Sequence, residues 1–175
     1  NVMYFSDLPE MHECTMTSTA YAVLPADGGV APFVVLRAGS LPFLSQEGCW
    51  VRDAELYTKP FWVHMPDTLD LDDISPEERV LYHACKNIEL PGRAAEALRM
   101  GLQKRGLLRG RIGMDETGLQ PRNWTELVET LAPAEVVPAA TVINHIRLVK
   151  TATELAIMEE AVQMNEAGLT RSVEA

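Results

Sequence analysis

Cysteine is scarce in this chain. Cys14, Cys49 and Cys85 are odd in number, widely spaced and never arranged as CxxC. That pattern is not a disulfide framework, and it predicts a reducing compartment. The short signatures of common catalytic sites are also missing: no HExxH, GxSxG, SxxK, Walker A or GxGxxG occurs. Basic residues are outnumbered, with 15 Lys and Arg against 25 Asp and Glu and a net charge of -10. A balance of that sign argues against a non-specific nucleic-acid binder or a protein of anionic membrane surfaces. No apolar run approaches the roughly 20 residues a bilayer-spanning helix needs. The start of the chain carries no basic segment followed by an apolar core, so no signal peptide is expected. Together these absences predict a cytoplasmic protein with neither nucleic acid nor membrane as partner.

What is present reads as a soluble, globular chain: 175 residues, 47% hydrophobic and 23% charged. That length allows one good core, or a core with an appendage. The chain begins at Asn1 rather than Met and is read as trimmed or partial.

Periodicity and turn residues give the expected elements. VMYF (2–5) reads as a short buried strand, followed by a polar loop, SDLPEMHECTM. Thr17 to Leu24 is a strand, ADGG (26–29) a turn, and PFVVLRA its hairpin partner. A loop or short helix over 40–48 precedes a strand from Cys49 to Tyr57. Ser75, Pro76 and Glu78 supply an N-cap, a first-turn proline and a capping-box acid for a helix carrying Val80, Leu81, Ala84 and Ile88. A second helix runs from Arg93 to Arg105, with Gly106 just past its end. RIGMD (111–115) is a strand, Asn123 and Glu126 start a helix to about Leu131, AEVVPA is a strand and ATVINHI a helix. Strands first as a hairpin, then alternating with helices, predict an α/β fold with a mixed sheet and helices packed on it.

The last stretch, RLVKTATELAIMEEA (147–161), is the best-marked helix start in the chain. Thr151 and Glu154 make a capping box. Beyond it Leu155, Met158, Val162, Leu169 and Val173 recur at helical steps, with Asn165 on the same line, a mainly apolar row that must be covered by something.

Candidate sites are few. His12, His64, His83 and His145 lie far apart, and His83 and Cys85, two residues apart, would not share a helix face. Asp67, Asp70, Asp72 and Asp73 lack the glycine and terminal glutamate of a calcium loop and read as a solvated acidic stretch. Arg93, Arg99, Lys104, Arg105, Arg109 and Arg111 form a basic cluster opposed locally only by Glu96. One reading makes it an anion-binding patch. The plainer one places cations at a helix end, where the dipole favours them. Trp50, Trp62 and Trp124 are dispersed and read as core or interface anchors.

Three segments, in order, resemble one family. Asn1-Val2-Met3-Tyr4-Phe5-Ser6 is similar to the N-[IV]-x-Y-[LF]-[TS]-G-[FY] strand of the creatinase, prolidase and aminopeptidase P relatives. Arg111-Ile112-Gly113-Met114-Asp115 resembles their IG-D/E strand. Arg147-Leu148-Val149-Lys150-Thr151, with Glu154 and Ala161, resembles the junction between their two domains. The resemblance implies a three-layer ribonuclease H-like α/β domain over 1–148, its first αβ unit absent. Residues 149–175 would then be the junction and first helix of a "pita-bread" catalytic domain. It implies a full-length metallopeptidase-like hydrolase of Xaa-Pro peptides or small amides. Such an enzyme uses two divalent metal ions (Mn, Zn or Co) to activate a bridging water and polarise the carbonyl. The family's metal ligands all lie beyond the first catalytic helix, so this chain is expected to hold no cofactor and to be inactive alone. The implied partners are its own catalytic domain and a second subunit of a homodimer. In dimeric members the loop after the first motif reaches the neighbouring active site, which makes His12 and Glu13 substrate-access residues by analogy. Asp7 stands where the family has Gly, so that loop differs in shape, and the plain reading of His12 and Glu13 is an exposed polar loop. Asp67 to Leu90 is longer than the family pattern. The alternative is a stand-alone binding or assembly module that uses the last helix as its interface.

Overall fold

The computed structural model describes residues 19–26, 28–45, 50–58, 69–86 and 89–174. The expected strand at 2–5, the loop with His12 and Glu13, Trp62 and His64 lie outside the described residues. So do the side chains of Val80, Leu81 and Ala84, and Ile88 entirely. The described residues fall into two compact units: those of Asn1–Ile112 with Leu119–Val136, and Gly113–Gly118 with the part from Val137 onward.

The first unit is built on strand β2, Phe33–Arg37. Its first four residues, FVVL, are an unbroken apolar run, the pattern of a strand covered on both faces. Phe33, Val34 and Val35 are 0% exposed and Leu36 1%. Strand β1, Tyr21–Val23, pairs antiparallel with it, in the register Tyr21 to Val35 and Val23 to Phe33, with Gly28 and Gly29 in a turn between them. Strand β3, Ala54–Tyr57, pairs with its other edge in parallel, Val34 to Ala54 and Arg37 to Tyr57. The sheet is therefore mixed, in the order β1-β2-β3. A parallel partner needs a crossover. Here a 3-10 helix, Ala38–Ser45, supplies part of it.

Strand β3 is shorter than the expected Cys49–Tyr57 strand. Trp50 to Arg52 have no strand partner, because β2 begins only at Phe33, behind Pro32, and in the parallel register Phe33 falls opposite Asp53. The Val34 N–H donates to the Asp53 carbonyl at 2.9 Å, which starts the pairing.

Each sheet face has its own cover. On one side Val34 and Leu36 join Ala38, Leu41, Leu44, Val51 and Leu56 in a core cluster. Helix α1, Pro76–Lys86, packs against the 3-10 helix. Its capping box forms as expected: the Ser75 N–H donates to Glu78 at 2.8 Å and the Glu78 N–H to the Ser75 hydroxyl at 3.2 Å. On the other side helix α2, Ala94–Lys104, lies over β2 and β3. Its buried residues Ala94, Ala97, Leu98, Gly101 and Leu102 keep helical spacing. Gly106, at φ +71°, ends it. The Gly106 N–H bonds to Gln103 and the Leu107 N–H to Leu102, a Schellman close that only a left-handed residue permits.

Helix α3, Pro121–Thr130, starts earlier than expected. Gln120 is the N-cap and Pro121 opens the helix, because proline's fixed φ suits the first turn, so Asn123 lies inside it. Strands β4 (Arg111–Met114) and β5 (Glu135–Pro138) form a separate two-stranded pair. The Glu135 N–H bonds to Gly110 and the Ala139 N–H to Met114, so both strands advance together and run parallel.

In the second unit, helix α4 spans Ala140–Leu148 and helix α5 Ala152–Glu174. The N-cap of α4 is Ala139, which has no capping side chain. The Glu116 carboxylate takes its place, accepting the N–H groups of Ala139 and Ala140, both at 3.0 Å. The Ala140 N–H leads in holding the Glu116 pKa below its ordinary value, with the backbone N–H groups of Glu116 itself and Ala139 adding to it. Helix α5 starts as the sequence predicts. Thr151 donates its N–H to Glu154 at 2.7 Å, and the Glu154 N–H donates back to the Thr151 hydroxyl at 3.2 Å.

Candidate interaction surface and charge clusters

The basic cluster is tied to carboxylates from elsewhere in the chain, which corrects the expectation that Glu96 alone opposes it. Arg105 is the centre. Its side chain is 10% exposed and bridges two residues of the β3 segment, reaching Asp53 at 2.6 Å and Glu55 at 2.7 Å. The guanidinium also lies over the Phe33 ring, 3.9 Å from its centroid, and donates to the Gly101 carbonyl at 2.9 Å. Burial by itself would lower the Arg105 pKa, but hydrogen bonds to Asp53 and Glu55 outweigh it and hold the cation above its ordinary value. Lys104 adds a contact to Glu55 at 3.2 Å. Arg93 pairs with Glu126, and Arg111 approaches Glu135 at 3.5 Å. Four of the six cations are thus neutralised in place, which removes the main support for an anion-binding patch.

An open depression of ≈ 520 Å³ is lined by Arg93, Arg122, Thr125, Glu126 and Glu129. Its charges are mixed, and Arg93 and Glu126 in its lining already pair with each other.

The remaining sequence candidates do not assemble. His83 and Cys85 sit on α1, the one exposed and the other half-buried. His145 contacts the Thr141 carbonyl of its own helix at 3.0 Å. The acidic stretch is locally used: the Asp70 carboxylate accepts the Asp72 N–H at 3.0 Å, and Asp72 lies 3.8 Å from Arg79. Among the described residues, no group of three or more His, Cys, Asp or Glu could hold a metal ion. No described helix is long and apolar enough to cross a membrane. Trp50 is exposed rather than a core anchor, and Trp124 is half-buried.

The dominant surface feature is helix α5. Its 23 residues extend about 34 Å. The expected row of Leu155, Met158, Val162, Leu169 and Val173 is uncovered, from 49% exposed at Leu155 to 86% at Val173. At about 3.6 residues per turn a second row lies beside it: Ile157, Ala161, Met164 and Gly168. Ile157 and Met164 are exposed too. Charged Glu159, Glu160, Glu166 and Arg171 fall on the opposite half. The two rows together span about half the helix, wider than the narrow seam of a two-stranded coiled coil, with Glu154, Asn165 and Ser172 interrupting the same half. Sequence reading found the first row and missed the second, whose small residues Ala161 and Gly168 give little hydropathy signal. Helix α4 adds exposed Val142, Ile146 and Leu148.

Comparison with protein-family models, curated proteins and solved structures found no match to this chain.

Proposed function

We propose that this chain is the non-catalytic N-terminal domain of a dinuclear metallohydrolase of the creatinase, prolidase and aminopeptidase P kind. On this reading the α/β unit has a three-layer ribonuclease H-like fold and residues 1–148 form that domain. Helix α5 then opens the catalytic domain, whose other elements cover its apolar half. The protein is cytoplasmic and homodimeric, acts on Xaa-Pro peptides or small amides, and holds its metals in the catalytic half. The observation that carries the reading is α5 itself. A helix capped by Thr151 and Glu154, directly after Arg147-Leu148-Val149-Lys150, shows a broad apolar face to solvent. A mixed sheet with helices on both faces supports it.

The deciding experiment is the intact mass of the native gene product from its source cells. A mass at least twice the 19.4 kDa of this chain, with bound divalent metal and Xaa-Pro hydrolysis, is the expected result. A product near 19.4 kDa overturns the enzymatic reading and leaves a stand-alone assembly module that docks through α5. A long product without metal or hydrolysis overturns it as well.

A further inference from the structure

We draw no further inference here: the strongest candidate, the uncovered apolar half of helix α5 between Leu155 and Val173, carries nothing beyond the proposal above because nothing in the structure shows what covers it.

Discussion

Five residues make strand β2, and four of them are buried; twenty-three make helix α5, and none of its described side chains is. Both are rich in apolar side chains, so composition alone does not separate them. Partners do. Strand β2 has a hydrogen-bonded neighbour on each edge and packed side chains on each face. Helix α5 satisfies its backbone internally, as any helix does, and leaves its side chains to solvent. Apolar content therefore marks what needs cover, and only topology decides whether the cover is within the described residues.

Substitution of matched leucines tests this contrast most strongly. Leu36→Ala is expected to cost about 2–5 kcal/mol, because it empties a fully buried site in the sheet. Leu155→Ala in the same chain should change stability by less than about 0.5 kcal/mol. Urea unfolding of the two variants measures both. Equal losses in a proven monomer would show that α5 is covered after all.

Two glycines sharpen the comparison further, because the same change should have opposite signs. A Cβ on Gly101 would lie 2.7 Å from the Phe33 ring and 2.8 Å from the Glu55 side chain, and both neighbours are held by Arg105. Gly101→Ala is expected to destabilise by about 1–3 kcal/mol, overpacking outweighing the gain in helix propensity. A Cβ on Gly168 would meet nothing within 4 Å. Gly168→Ala should therefore stabilise α5 by up to about 1 kcal/mol. Thermal melts followed at 222 nm decide the signs.

A smaller effect belongs to the cap of α5. Thr151→Ala removes the hydroxyl that accepts the Glu154 N–H and should weaken the helix by about 1 kcal/mol. Amide exchange should quicken over the first turn of α5 and stay unchanged in β2. Faster exchange in both would mean that the two regions unfold together.

Acid gives the mildest test. Ser75 holds the Glu78 pKa down through its N–H and then its hydroxyl, and Glu116 is held down chiefly by the Ala140 N–H. A carboxylate with a depressed folded-state pKa contributes stability that is present above its unfolded value and is lost as pH falls through the folded one. The first turns of α1 and α4 should therefore loosen progressively below the ordinary carboxylate range. Glu116→Gln should flatten that response in α4 alone. An unchanged pH profile of amide exchange at Ala139 and Ala140 would remove Glu116 from this role.

The elements legible in the sequence were those specified by near neighbours. Ser75 with Glu78, and Thr151 with Glu154, are three residues apart, and both capping boxes form. Gly106 closes α2 through contacts three and five residues back. The illegible parts depend on distant segments. Glu116 caps a helix more than twenty residues later. Asp53 and Glu55 neutralise Arg105 from about fifty residues earlier. The shortened β3 depends on where β2 happens to begin. Of the candidate sites, the first apolar row of α5 was readable from its period, while its second row was masked by Ala161 and Gly168. The helix-end position of Lys104 in the basic cluster was readable, but its pairing was not, because Asp53, Glu55, Glu126 and Glu135 lie outside a linear window around it. His12 and Glu13 lie outside the described residues.

Arg105 has a consequence for inheritance. Its flat, forked cation fits a ring on one side, two carboxylates at its tips and a helix backbone with no side chain in the way. Lysine would keep the charge but lose both the fork and the stacking. A larger residue at 101 would push the ring and Glu55 aside, and loss of either carboxylate would leave a half-satisfied cation near the sheet. Phe33, Asp53, Glu55, Gly101 and Arg105 thus constrain one another across some seventy positions of chain. In any related chain these five are expected to be kept, or exchanged, as a set.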